Sequence, residues 1–444
     1  MSSLRSWIDE PGAGAVEAPS VFVRGWCFDA GGRPITAVRA RAGRRIFMGR
    51  AGLLRPDVQA ALSGPPESAR SGFSVCVNLK PEETVVRLEA RVGEERSWAQ
   101  FQQIRLQGPP GSVFMRRLRM MMFRWEAFRG RPEALERLTA AERRFVLARI
   151  DEDGGHPLRL SPHYAPRPVE PERFPSPHLP EARLPRITVV TPSYQHGAFL
   201  EATLQSVLEQ RGVRVDTIVQ DGGSTDGSVD VLQRYAPRLQ HWASEKDHGQ
   251  ADALRRGFLR TEGGPDDIMA YLNSDDLFMP GALRFVAEHF ARNPRVDVVY
   301  GHRVLIDERG NEVGRWLVPR RSCDDLRLFD LIPQETLFWR RRIYERAGGI
   351  DPSFGFAVDW DLLLRFAAAG ARFERLPWFL GLFRLHPAQK SQALLEKVGI
   401  PEMDALRERN LGRAPARSEL VAGMERAQLD SAVVAAWMRR GWRL

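Results

Sequence analysis

Cysteine is scarce: the 444 residues contain three, Cys27, Cys76 and Cys323. They form no CxxC pair and no metal spacing, which argues against a cysteine-based zinc site or a dithiol redox centre. Buried thiols in a reducing compartment are expected, with Cys27 and Cys76 able to face each other in a small β domain. No run of about 18 apolar residues occurs, which argues against a membrane-crossing helix. The opening MSSLRSWIDEPGAG lacks the basic-then-apolar order of a signal peptide. A cytoplasmic location follows as the default, with peripheral attachment to the inner face of the cytoplasmic membrane as its variant. GxGxxG and the Walker GK[ST] are both missing, so neither a dinucleotide fold nor a P-loop is supported. Zinc-finger spacing and aromatic-basic RNP strings are missing too, so nucleic acid is not an expected partner.

What is present is a globular composition, 43% hydrophobic and 27% charged, with 65 Lys and Arg against 56 Asp and Glu for a net charge of +9. An excess of arginine fits either a solvated surface or attraction to anions such as nucleotide phosphates and lipid headgroups. Domains usually hold about 100–200 residues, so two or three are expected. Residues 1–108 read as an all-β sandwich: segments 21–28, 35–41, 72–79 and 84–92 alternate apolar and polar side chains between Gly-rich turns. Residues 109–150 follow as a helical segment. Within it, 113–129 has Phe114, Leu118, Met121, Met122, Trp125 and Phe128 near one stripe, with Arg116, Arg117, Arg119 and Arg124 largely off it. That pattern suits either a core helix or a basic amphipathic helix on an anionic membrane. Residues 151–185 are crowded with proline and read as an extended linker.

From residue 186 to 395 strands and helices alternate. Segments 187–190, 215–219, 268–272 and 296–300 read as strands, and 196–210, 228–235 and 281–293 as helices. This order predicts an α/β domain on a mainly parallel sheet. Residues 396–444 read as a C-terminal helical appendage.

Three of the strands run into polar clusters: Thr191-Pro192-Ser193-Tyr194, the DGGSTDGS string at 221–228, and Asn273-Ser274-Asp275-Asp276. Ligands of open α/β sheets bind at the carboxyl ends of strands, so three clusters there point to one site. Taken alone, DGGSTDGS is a turn with helix-capping residues. Oxygen-bearing side chains at 273 and 275 suit a hard divalent cation, or else a plain turn whose Asp276 caps the next helix.

The ordered strings TPSYQHGAFLEATLQSVLEQ, DGGSTDGS, SEKDHGQADALRRGF, YLNSDDLF, IPQETLFWRRRIYERAGGID, FAVDWDLLLRFAAAG and FRLHPAQKS resemble the motifs of family 2 glycosyltransferases of the GT-A fold, a Rossmann-like architecture. The likeness covers about residues 186–392. It implies an enzyme that moves a sugar from a nucleotide-sugar donor, with a UDP-sugar the first choice, to an acceptor hydroxyl with inversion. The implied acceptor is a growing surface glycan, a lipid-linked sugar or a protein. It also implies a divalent metal, Mn²⁺ or Mg²⁺.

The implied roles fall residue by residue. Thr191, Pro192, Ser193 and Tyr194 line the nucleobase and ribose pocket, and Asp221 reads the base. Asp252 contacts ribose or sugar, helped by Gly249, Gln250 and Arg255. Asn273, Ser274 and Asp275 occupy the Asp-x-Asp position, with Asp275 the direct metal ligand, Asn273 a weaker neighbour and His386 near the metal or the diphosphate. Asp359 is the general base. Gln334, Glu335 and Trp360 lie on the acceptor side. Two departures stand out: Asn273 replaces the more usual Asp, and Val358 the more usual Glu. Residues 1–108 resemble the Ig-like accessory modules found ahead of some bacterial domains of this family.

Two other classes compete. A nucleotidyltransferase would carry a phosphate-cradling Gly/Lys/Arg signature at the first strand, where TPSYQHG stands. A catalytically inactive sugar-nucleotide binding module would tolerate loss of Asp359 or Asp275, and both are present.

Overall fold

Alternation along the N-terminal strands sends one set of side chains inward, where they meet in a single core. In the computed structural model these strands are β1 (Leu4–Glu10), β2 (Gly14–Ala15), β3 (Ser20–Asp29), β4 (Ile35–Ala42), β5 (Arg45–Leu53), β6 (Gly72–Asn78), β7 (Glu83–Val92) and β8 (Ala99–Gln107), with helix α1 (Pro56–Leu62) after β5. Val38 and Ala40 of β4, Val75 and Val77 of β6, and Val86 and Leu88 of β7 are buried against one another. Strand β5 pairs with β4 on one side and β6 on the other, joining the two layers of an all-β sandwich. Cys76 lies opposite Phe22 in the register of β3 with β6, and Cys27 sits further along β3, so the two thiols do not face each other.

The structure describes residues 4–10, 14–15, 20–53, 55–62, 65–79, 83–95, 97–107, 158, 160–320, 322–387, 389–390 and 394–438. The chain divides into two units, Met1–Gly155 and His156–Leu444. The basic stretch at 113–129 lies outside the described residues. No described helix is long and apolar enough to cross a membrane.

The second unit is built on a nine-stranded sheet. Its first half comprises β9 (Ile187–Ser193), α2 (Gly197–Leu208), β10 (Val215–Asp221), α3 (Ser228–Tyr235), β11 (His241–Ser244), α4 (Gln250–Leu259) and β12 (Ile268–Tyr271). Then come β13 (Leu277–Phe278), α5 (Ala282–Arg292), β14 (Val298–Ile306), β15 (Glu312–Trp316), β16 (Phe338–Arg340) and α6 (Arg341–Arg346). The chain finishes with α7 (Val358–Ala368), β17 (Phe373–Arg384), α8 (Ile400–Leu411) and α9 (Arg417–Met438).

The strand order is β11-β10-β9-β12-β16-β14-β17-β13, with β15 on β14. Strands β11, β10, β9 and β12 run parallel, as expected. The other half is mixed: β16 runs antiparallel to β12 and β14, while β14 and β17 are parallel. Helical crossovers impose parallel pairing in the first half, whereas β16 reverses direction between its neighbours. Every residue of β9 and of β14 is buried, the pattern of strands covered on both faces.

Two segments expected outside the catalytic domain pack onto it. Proline denies 160–185 a helix, but extended chain can still bond to a strand edge. The Arg167 amide donates to the Glu312 carbonyl at 3.0 Å, and the Glu312 amide returns a bond at 2.7 Å. Phe174 stacks on Phe285 with centroids 4.9 Å apart, and Leu184 is buried. The described part of the linker is therefore a strap on this unit. At the other end, Ala427, Leu429, Val434 and Ala435 of α9 are buried. The Arg320 guanidinium donates to Asp430, and the Ser431 hydroxyl donates to the Leu317 carbonyl.

One carboxylate ties two helix starts together. Asp226 accepts from the Gly197 amide at 2.7 Å, ahead of α2, and from the Ser228 amide and hydroxyl at 3.1 and 2.6 Å, at the start of α3. Burial opposes its charge, yet the Ser228 hydroxyl and the two amides outweigh that and hold its carboxyl below the ordinary range. A group with a depressed folded-state pKa stabilises above its unfolded value, and that contribution is lost as pH falls through the folded one. Asp226→Ala is expected to lose about 1–2 kcal/mol at neutral pH. In denaturant titrations its deficit should shrink as pH drops; a deficit independent of pH would contradict the capping role.

Candidate active site

Strands β9 and β10 bring their polar ends side by side, with Ser193 opposite Asp221. Thr191, Pro192 and Ser193 are buried, whereas Tyr194 is 61% exposed. Of the four residues expected at the nucleobase, Tyr194 offers an aromatic face on which a base can stack. Asp221 is fully buried and its oxygens are taken: the Gly223 and Ser224 amides and the Ser224 and Ser244 hydroxyls donate to it at 2.6–3.1 Å. In this structure it shapes the Gly-rich turn.

The turn after β9 is strained in a useful way. Gln195 has φ +54°, a left-handed backbone that L residues seldom adopt. The Ser224 hydroxyl accepts its amide at 2.8 Å, and its side chain exchanges hydrogen bonds with Thr225. Held this way, the chain turns His196 back toward the third cluster, where its Nδ1 lies 2.8 Å from the Ser274 hydroxyl.

There His196, Asp275 and His386 each offer one ligand atom, all within 4.8 Å of one another. His386 Nε2 is 3.0 Å from Asp275 Oδ2. Two imidazole nitrogens and a carboxylate oxygen form a set that fits a divalent transition ion and leaves positions open for oxygens of a ligand. His196 was not foreseen, although it stands in the TPSYQHG string. Asn273 is not part of the set. Its carbonyl accepts the Gln250 amide at 2.6 Å, and its own amide donates to Gln334 at 3.1 Å and to Asp276 at 3.4 Å. Asp276 is no helix cap: it is buried and accepts the Arg384 amide at 3.0 Å. Enclosure, then the Asp275 and Glu335 charges, push its carboxyl well above the ordinary range.

Asn273 belongs to a polar chain that crosses the site. Lys390 donates to Gln250, Gln250 to Asn273, Asn273 to Gln334, and Gln334 to the Tyr271 carbonyl. Lys390 also lies in electrostatic reach of Asp359: burial lowers its pKa, opposed first by Asp359 and then by Glu402. Enclosure raises the Asp359 carboxyl, and the Trp360 amide and the Lys390 and Arg303 charges oppose this without cancelling it. Asp330 is open to water on one side and walled by protein on the rest. Those surroundings, and next the Asp359 charge, raise its carboxyl well above the usual range. The Tyr271 hydroxyl shares this acidic neighbourhood, raised by burial and then by Asp359 and Asp330.

The three residues expected on the acceptor side are all buried. Glu335 is 1% exposed and makes two 2.6 Å hydrogen bonds with the Arg303 guanidinium. Gln334 is occupied as described. Trp360 is fully buried, with its indole N–H on the Leu326 carbonyl at 2.7 Å. All three are held by protein partners in the floor of the site. On the donor side, Asp252 is buried and ion-paired with Arg256 at 2.6 Å, while Arg255 and Gly249 are exposed. A separate cleft of about 1060 Å³, between the strap and α2 and α5, contains none of the expected site residues.

The sequence model of glycosyl transferase family 2 matches residues 188–359. An uncharacterized glycosyltransferase of Mycobacterium tuberculosis is 30% identical over 187 residues, covering 41% of this chain and 69% of that protein. The chain belongs to glycosyltransferase family 2. A PGL/p-HBAD biosynthesis glycosyltransferase of Mycobacterium bovis is 25% identical over 190 residues, again 41% of this chain and 69% of that one. Among solved structures, a mannosyltransferase of Pyrobaculum calidifontis in complex with GDP-Man and Mn²⁺ is 20% identical with a TM-score of 0.41, covering 69% of this chain and 86% of that one. This family 2 glycosyltransferase has an α/β unit on a nine-stranded sheet, preceded in the chain by an all-β domain.

If the two imidazoles and Asp275 share an ion, His196→Ala and His386→Ala should each weaken Mn²⁺ binding by on the order of 10–100-fold in calorimetric titration. Wild-type affinity in His196→Ala would remove that residue from the set.

Proposed function

We propose that this enzyme transfers the sugar with inversion, using Asp359 as general base and a divalent ion held by His196, Asp275 and His386. The observation that carries the reading is the polar chain from Lys390 through Gln250 to Asn273. It runs to the strand end that bears Asp275, and its Lys390 lies in electrostatic reach of the Asp359 carboxylate. Inverting transfer needs a carboxylate to take the proton of the acceptor hydroxyl as that oxygen attacks the anomeric carbon opposite the leaving diphosphate. Asp359 has the chemistry for this: a carboxylate whose burial makes it more basic than in water, with the Lys390 charge opposing that rise without cancelling it. When bound, a divalent ion would neutralise charge on the departing nucleotide diphosphate. Two imidazoles among three protein ligands favour Mn²⁺ over Mg²⁺. Tyr194 supplies the surface against which the base stacks. UDP sugars are the first donors to test, and a surface glycan, a lipid-linked sugar or a protein is the acceptor class.

Asp359→Asn is expected to reduce turnover by about 10²–10⁴-fold while the thermal shift caused by the donor persists. Asp275→Ala should instead abolish the Mn²⁺-dependent part of that shift. A base works deprotonated, and the Asp359 carboxyl lies above its ordinary range. The rate should therefore fall as pH drops through that raised value, not only near the ordinary carboxylate range. Turnover close to wild type in Asp359→Asn would rule out this assignment of the base.

A further inference from the structure

The C-terminal helix α8 grips the element that carries Asp359. Glu402 reaches across and accepts three consecutive backbone amides: Gly355 at 2.6 Å on one oxygen, and Phe356 and Ala357 at 2.8 and 2.9 Å on the other. These residues lead directly into α7, whose first turn holds Asp359. A carboxylate at this end also meets the positive pole of the helix. Further along α8, Leu406 is buried in the same core as Trp360, and the Arg409 guanidinium donates to Asp361 at 2.8 Å. Arg407 lies over the Trp360 ring, 5.3 Å from its centroid. Positions 402, 406 and 409 recur at helical spacing, so one face of α8 meets the loop before α7 and the helix itself. Lys390, in electrostatic reach of both Asp359 and Glu402, ties this contact to the polar chain of the site.

We infer that Glu402 is a positioning residue for catalysis: by clamping the amides of 355–357 it fixes where α7 begins, and so where the Asp359 carboxylate stands. This rests on the reading of Asp359 as the base. A carboxylate displaced by an ångström loses much of its advantage as a proton acceptor, because general-base catalysis needs hydrogen-bond reach to the acceptor hydroxyl. The residues expected to bind the donor lie on other elements, β9, β10, α4 and the strand end after β12, and the three Glu402 hydrogen bonds touch none of them.

The test uses the full-length enzyme with Glu402→Ala and Glu402→Gln. The Gln variant keeps one acceptor oxygen but turns donors toward amides that are themselves donors. Asp404→Ala, on the exposed side of the same helix, is the control. Both Glu402 variants should lower kcat about tenfold or more, with donor KM and the Mn²⁺-dependent donor shift unchanged and Asp404→Ala at wild-type rate. Unchanged kcat in Glu402→Ala overturns the inference. So does a parallel loss of kcat and donor binding that follows a lowered Tm, since that describes a purely structural contact. If Asp359→Asn is active, the reading of the base fails; if Asp359→Asn is dead and Glu402→Ala is normal, only the clamp fails.

Discussion

Arg303 and Glu335 meet through two parallel hydrogen bonds in a place that water does not reach. The pair sits where β14 passes the turn that precedes β16. Around it lie Asp276, Asp330 and Asp359, and the Arg303 charge lowers the pKa of each. Without this cation, Asp276 and Asp359 would lose one of the charges that offset their burial, while Lys390 would still act on Asp359 and the Arg384 amide on Asp276. Breaking a buried pair by removing one partner typically costs about 3–5 kcal/mol, because the other charge stays behind. Close approach is also built into the backbone. A Cβ at position 381 would lie 2.5 Å from the Glu335 carbonyl oxygen, so only glycine lets β17 pass there.

From this pair the rest of the centre follows by contact. Its enclosure requires that neighbouring polar groups be paired, and they are, through Asn273, Gln334, Gln250 and Lys390. The same enclosure raises the Asp359 carboxyl above its ordinary range, which makes it a stronger proton acceptor than a carboxylate in water. Groups that ordinarily make a surface loop soft have here been drawn into a rigid floor. The positions proposed for the reaction are then few: exposed Tyr194, half-buried His196, Asp275 and Asp359, and buried His386.

Glutamine, asparagine and tryptophan side chains in a family motif can serve either the ligand or the scaffold, and local sequence does not separate these uses. Trp360 stands next to Asp359, and helical geometry turns adjacent residues to different faces. It is the tryptophan that faces the core. Asn273 replaces a charged ligand with an amide, and an amide can both donate and accept. That property suits a link in a hydrogen-bond chain better than a site on a cation. Asp221 and Asp226 illustrate the same point: in a Gly-rich turn, carboxylates find backbone amides before they find anything else.

The sequence alone determined the secondary structure that matters here: apolar runs ending in polar clusters placed β9, β10 and β12 and set their carboxyl ends as the site. It determined the family, because seven ordered motifs are specific together where each alone is not. It also pointed to Asp275, His386 and Asp359. Tertiary structure decided the partners. His196 reaches its neighbours Asp275 and His386 only through the left-handed turn at Gln195, Lys390 lies in electrostatic reach of Asp359 from beyond β17, and Glu402 on α8 holds the amides that lead into the helix of Asp359. The Pro-rich strap and α9 pack on the catalytic unit through contacts more than a hundred residues apart, such as Arg320 with Asp430, and α8 through shorter-range ones such as Arg409 with Asp361. Periodicity reports which face of an element is buried but not what it is buried against, and the chemistry of an enclosed group is set by what surrounds it.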